Sequence, residues 1–109
     1  MTKQRNYKLV VFVPQSHLEL VRIALCKAGA GQIGKKYDNC TFMSPGIGTF
    51  QPLKGVKPFL GRQGKIERVG EARLETIVPA NKIKKIIAAM KKVHPYEEAA
   101  YDVYKLENY

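Results

Sequence analysis

The sequence is short of acids, thiols and imidazoles, and it has no long apolar run. Nine Asp and Glu stand against nineteen Lys and Arg, a formal net charge of +10. Such a surface attracts polyanions, nucleotides or acidic proteins by Coulomb attraction, which speaks of partners and solubility without fixing a function. No stretch approaches the roughly 20 apolar residues that cross a bilayer. The start, "MTKQRNYKLVVFV", is basic, but "LVVFV" is too short for the core of a secretory signal and no small-residue cleavage site follows. The expectation is a cytoplasmic protein with no membrane association. Cys26 and Cys40 form no CxxC pair and read as small buried hydrophobes of a reducing compartment. There are two histidines, and Cys26 and Cys40 fall in an apolar helix and a strand, so nucleophilic catalysis finds little support. His17 reads as a surface residue. No Walker A loop or dinucleotide fingerprint is present, and no helix-turn-helix, zinc-finger or RNP signature.

What is present is a regular succession of periodic segments in one domain, residues 1–109. "YKLVVFVP" is β-branched and aromatic and ends at Pro14, which predicts a buried central strand. "SHLE" follows as a capping box of Ser16 and Glu19. Leu18, Val21, Leu25 and Ala28 recur at helical spacing until Gly29 and Gly31 stop the helix. Residues 37–52 read as a strand interrupted at Ser44 to Gly46. A Gly- and Lys-rich stretch at about 53–66 has no sustained period and reads as a long mobile loop. "ERVGEARLETIVP" alternates, with Ala72, Leu74, Thr76 and Val78 toward a core. In "NKIKKIIAAMKKVH", Ile83, Ile86, Ile87, Met90 and Val93 form an apolar helix stripe opposite five lysines. Asn81 is the expected N-cap, and Pro95 bars continuation. "EAAYDVYKL" is the last strand.

Strand, helix, strand, strand, helix, strand, with one apolar face per helix, specifies an α+β domain. The fold class is ferredoxin-like βαββαβ, an antiparallel sheet with both helices on one face. The expected core contains Leu9, Val11, Leu25, Leu74, Ile83, Ile86, Ile87, Met90 and Val103. Tyr101 and Val103 share one face of the last strand, and Tyr104 lies on the other.

On this frame a set of phrases resembles a known family. "LCKAGAGQIGKKYDNCTF", "GIGTFQPLKG", "GKIERVGEARLETIVP" and "HPYEEAAYDVYKLEN", with the first strand, are similar to the CutA-like, PII-like insert domain of the YqfO family. The resemblance covers nearly the whole chain. It implies a freestanding ferredoxin-like module without the dimetal, hydrolase-like domain that surrounds it in larger members. It also implies a non-enzymatic sensor or binding role and a homo-oligomer, a trimer before a dimer. One departure is Ala99, where the family pattern has proline, which leaves the start of the last strand open.

Two stretches are candidate sites. His94, Tyr96, Glu97 and Glu98 of "HPYEE" are first a structural joint between helix and strand. In the sharper reading they line a ligand pocket, with His94, Glu97 and Glu98 holding a divalent metal, although structural and catalytic sites ordinarily use three or four ligands. Gly46 and Gly48 of "GIGTF" read as a bulge or bend. Alternatively their amides, with Lys54, Lys57, Arg62 and Lys65, capture a phosphate or nucleotide, by analogy with the loop of PII proteins. The expected function is a small ligand-binding or regulatory module, with an anionic small molecule or acidic partner in view. A basic module that binds nucleic acid or an acidic protein, through the lysine face of residues 82–92, is the runner-up, and a CutA-like divalent-metal binder is the third reading. The resemblance places Glu71, Arg73 and Tyr104 at or near a subunit contact.

Overall fold

The computed structural model describes residues 5–109. The reading of the basic start falls partly on residues 1–4, which lie outside the described residues. Strand β1 (Asn6–Pro14) leads into helix α1 (Leu18–Lys27). Strands β2 (Thr41–Phe50) and β3 (Glu67–Pro79) follow, then helix α2 (Ile83–Val93) and strand β4 (Ala100–Lys105). The sheet is antiparallel with order β2-β3-β1-β4. This is the expected ferredoxin-like arrangement, and the last strand starts at Ala100.

β1 is central because it is apolar on both faces. Leu9, Val11 and Val13 point to the helices and join Val21, Leu25, Ala72, Leu74, Val78, Ile86 and Met90 in one core. Each fully buried Val, Leu, Ile or Met side chain among them stabilises the fold by about 1.5–3 kcal/mol. Val10, on the opposite face, is also fully buried, flanked across the sheet by Glu75 and Asp102. Three expected core residues sit further out. Ile83 and Ile87 are half-buried at the flanks of the Ile86–Met90 stripe, and Val103 is 41% exposed because β4 is an edge strand.

Other local expectations are corrected. No capping box forms. A 3-10 turn at Gln15–His17 precedes α1, the Ser16 hydroxyl lies 2.8 Å from His17 Nδ1, and Glu19 pairs with Arg22. Asn81 likewise falls inside a 3-10 turn, Ala80–Lys82, and is not the helix cap. β2 is unbroken: Pro45 stands opposite Ala72 within a continuous ladder. An edge strand tolerates proline because one of its flanks has no ladder to donate to. The cysteines are free but half-buried, not buried.

The Gly-Ala-Gly and Asp-Asn-Cys phrases form a clasp. Gly29 (φ +118°) takes the left-handed position after α1, with Ala30 N–H bonded to Leu25 C=O and Gly29 N–H to Cys26 C=O, a Schellman closure. Gly31 donates to Ile77 C=O at 2.8 Å, Cys40 donates to Gly31 C=O at 2.9 Å, and the Thr76 hydroxyl donates to Cys40 C=O at 2.8 Å. A Cβ on Gly31 would lie 2.8 Å from the Cys40 nitrogen. The clasp ties the α1–β2 connection to the end of β3.

β1 ends opposite Glu71, yet β2 and β3 continue as a two-stranded ribbon to Phe50 and Glu67. The molecule is accordingly elongated, 53 × 23 × 21 Å.

Candidate ligand-binding cleft

The α2–β4 joint is built on His94. Its backbone is extended (φ −70°, ψ 132°), as a residue before proline prefers, and its N–H still closes the helix on Met90 C=O. His94 is 7% exposed. Tyr96 N–H donates to Nδ1 at 3.2 Å, so the ring proton sits on Nε2, which donates to Phe12 C=O at 2.8 Å. Burial lowers the imidazole pKa, and the Phe12 carbonyl and the Glu71 charge oppose that shift without reversing it. His94 is therefore a neutral tie between the joint and β1. Neither ring nitrogen keeps a lone pair for a metal. Among the described residues no three His, Cys, Asp or Glu side chains are placed to hold a metal ion.

From this joint Tyr96 turns toward the ribbon. Its hydroxyl donates to Glu71 Oε2 at 2.7 Å. Burial, and then the hydrogen bond and charge of Glu71, push the phenol pKa far up, so it stays a donor. The other Glu71 oxygen occupies the space where a side chain on Gly48 would stand. Gly48 is thus a seat for a carboxylate and not a bend. Phe50 (6.0 Å), Phe59 (6.4 Å) and His94 (4.9 Å, centroid to centroid) surround the Tyr96 ring.

The 51–66 segment is folded over this cluster. Gly64 N–H bonds to Pro52 C=O at 2.6 Å, Val56 N–H to Leu53 C=O at 3.2 Å, and the Gln63 amide to Val56 C=O at 2.9 Å. Pro52 is buried. Phe59 packs edge-on against His17, with centroids 5.4 Å apart, so His17 is half-buried and not simply a surface residue. Aperiodic sequence here means successive turns around an apolar face.

The result is a cleft of about 230 Å³ between the ribbon end, this segment and the joint. Phe50, Val56, Phe59, Leu60, Tyr96 and the start of β4 form its apolar walls, and Glu71, Glu97 and Glu98 supply its charge. Tyr96, Glu97 and Glu98 thus line one space, His94 does not, and both glutamates are exposed. Gly46 and Gly48 line a separate hollow on the open sheet face with Phe12, Ile47 and Arg73. Lys54, Lys57, Arg62 and Lys65 are exposed and line neither space. The glycines and these cations therefore do not converge on one anion. Glu71 faces into its own chain, and Arg73 lies over the Phe12 ring at 5.8 Å and 3.3 Å from Glu75. Tyr104 stays 46% exposed on the open face. Sequence reasoning missed Phe50, Phe59 and Glu71 as parts of the cleft. The one signal was an aromatic within an otherwise Gly- and Lys-rich stretch.

No family model matches the chain. A GTP cyclohydrolase 1 type 2 homolog from Halalkalibacterium halodurans is 55% identical over 98% of the chain. The solved structure of the Bacillus cereus protein related to NIF3 superposes with a TM-score of 0.85 at 52% identity over 99% of the chain. The chain is homologous to the CutA-like segment of these YqfO/NIF3-related proteins. It spans about a quarter of their length, 28% and 27%. The PII-like protein CutA from Nostoc sp. PCC 7120 has the same fold at a TM-score of 0.67, with 16% identity over 94% of this chain and 82% of that one. At that identity the likeness concerns the fold alone. No described helix is long and apolar enough to cross a membrane.

Proposed function

We propose that the chain is a non-catalytic ligand-binding module of the regulatory or sensor kind, and that its site is the aromatic cleft. The observation that carries this reading is the convergence of Phe50, Phe59 and Tyr96 on a carboxylate held in place by hydrogen bonding. Binding sites are typically concave and apolar, with a few fixed polar groups that orient the ligand. A catalytic reading lacks comparable support, because the neutral His94 is consumed by structural bonds.

Assembly belongs to the same proposal. Phe42 (66% exposed) and Tyr104 lie on the uncovered sheet face, and Ile47 (70% exposed) lies on the ribbon. A second and third copy would cover them, a trimer ahead of a dimer. The runner-up, polyanion binding, rests on the exposed Lys84, Lys85, Lys91 and Lys92 of α2; Lys91 is engaged at 5.3 Å over Tyr101.

A thermal-shift screen over small organic molecules, nucleotides, divalent metals and short DNA or RNA tests these readings. A cleft ligand at 100 times its Kd stabilises by about 2.7 kcal/mol, and Phe59→Ala removes that shift while leaving the fold intact. A shift that survives Phe59→Ala, or shifts with nucleic acid alone, would sink the cleft reading. Sedimentation at micromolar concentration tests assembly, and a strictly monomeric protein refutes it.

A further inference from the structure

The charge of the residues that line the cleft is opposite in sign to that of the chain. Nineteen of 109 residues are Lys or Arg, so thirteen lining residues chosen evenly would include about two. The thirteen that line the cleft include none, and they take three of the nine acids, Glu71, Glu97 and Glu98. A site for a phosphate or carboxylate would carry the reverse pattern, since an anion needs cationic or N–H donors. A bare metal ion is also disfavoured, because these carboxylates do not converge with other ligating groups. What fits aromatic walls with a carboxylate floor and rim is a cation that is itself partly apolar. Ring faces attract ammonium and guanidinium groups through their quadrupoles, and the carboxylates accept the N–H donors.

We infer that the cleft takes a small organic cation, a primary ammonium or guanidinium carried on an apolar body. This rests on the cleft being the binding site, as proposed above. Glu71 is the pre-set anion, held between the Tyr96 hydroxyl and the space that Gly48 leaves open. Glu97 and Glu98 lie at the exposed rim. The body of the ligand packs on Phe50, Phe59 and Tyr96. The 230 Å³ volume suits a molecule of metabolite size.

Three probes with one phenethyl body separate charge from shape: phenethylammonium, phenethyl alcohol and 3-phenylpropanoate. Calorimetric titration into the full chain at neutral pH is expected to show the ammonium binding about tenfold or more tighter than the alcohol, equivalent to about 1.4 kcal/mol. The carboxylate is expected to be weakest. The double variant Glu97→Gln/Glu98→Gln, changed only at exposed side chains, should cut the ammonium's preference severalfold. Glu71→Gln, which keeps an acceptor for Tyr96, should cut it further. Equal binding of ammonium and alcohol, or tighter binding of the carboxylate, overturns the cation inference while the cleft reading stands. Binding of none of the three, or binding that Phe59→Ala leaves unchanged, removes both.

Discussion

The two ends of the sheet are built by different rules. At the helix-covered end, β1, β3 and both helices close on Leu9, Val11, Leu25, Leu74, Ile86 and Met90, all fully buried. At the other end β2 and β3 run on as a ribbon whose cover is one turn-rich segment and a joint. Apolar side chains at the first end face other apolar side chains; at the second, Phe50, Phe59 and Tyr96 face a cleft. Stability is concentrated at the first end, and the second is open to a ligand. A closed core leaves no room for a ligand, and binding sites draw on less densely packed regions.

Substitutions at each end test that contrast. The largest effect is expected at the core end. Ile86→Ala should cost about 2–5 kcal/mol in denaturant unfolding, with the half-buried Ile87→Ala costing less. A loss under about 1 kcal/mol at Ile86 would mean that the helix phase is misplaced. Next is the clasp. Gly31 has φ +84°, and its missing Cβ would meet the Cys40 backbone, which cannot give way as a flexible side chain can. Gly31→Ala should cost about 1–3 kcal/mol, and an unchanged melting temperature would show that the clasp is slack.

His94 joins the two ends, and its effect depends on pH. The folded state holds the imidazole neutral, so on acidification the unfolded chain takes up that proton first. The stability tied to His94 is whole above its ordinary value of 6.5 and is lost as pH falls through that value toward the lower folded one. Thermal melts from about pH 7.5 to 5 should show this decline in the wild type and a flatter profile in His94→Ala. The same variant orphans the Phe12 carbonyl and should lose about 1–3 kcal/mol at neutral pH.

The smallest effect on stability, and a large one on recognition, is expected at Gly48. Gly48→Ala expels the Glu71 carboxylate from its seat and breaks its bond with Tyr96, at about 1 kcal/mol. Ligand-induced stabilisation should fall with it. A lowered melting temperature with ligand response intact would separate the glycine from the cleft.

Much of the first end was legible in advance, because helix and strand periodicity records which face meets the core. The α2 stripe placed Ile86 and Met90, and the alternation of β3 placed Leu74 and Val78. Errors came where the fold overrides a local signal. Pro45 reads as a break, but an edge strand absorbs it. Val103 is apolar and lies on the helix-covered face, but the helices do not extend over the edge to cover it.

The order of elements, the face each helix buries and the stop at Pro95 follow from residues within a few positions of one another, so they are legible in the chain itself. The tie from the His94 ring to Phe12, far away in the chain, is not. The cleft was decided only by tertiary structure. Its parts, Phe50, Phe59, Glu71 and Tyr96, come from β2, the 51–66 segment, β3 and the joint. They meet because the β2–β3 ladder sets Gly48 beside Glu71 and the Tyr96 hydroxyl closes on that carboxylate. Strand register and long-range hydrogen bonding leave no periodic mark in a chain, so the acidic character of a site in a basic protein emerges only once the chain is folded.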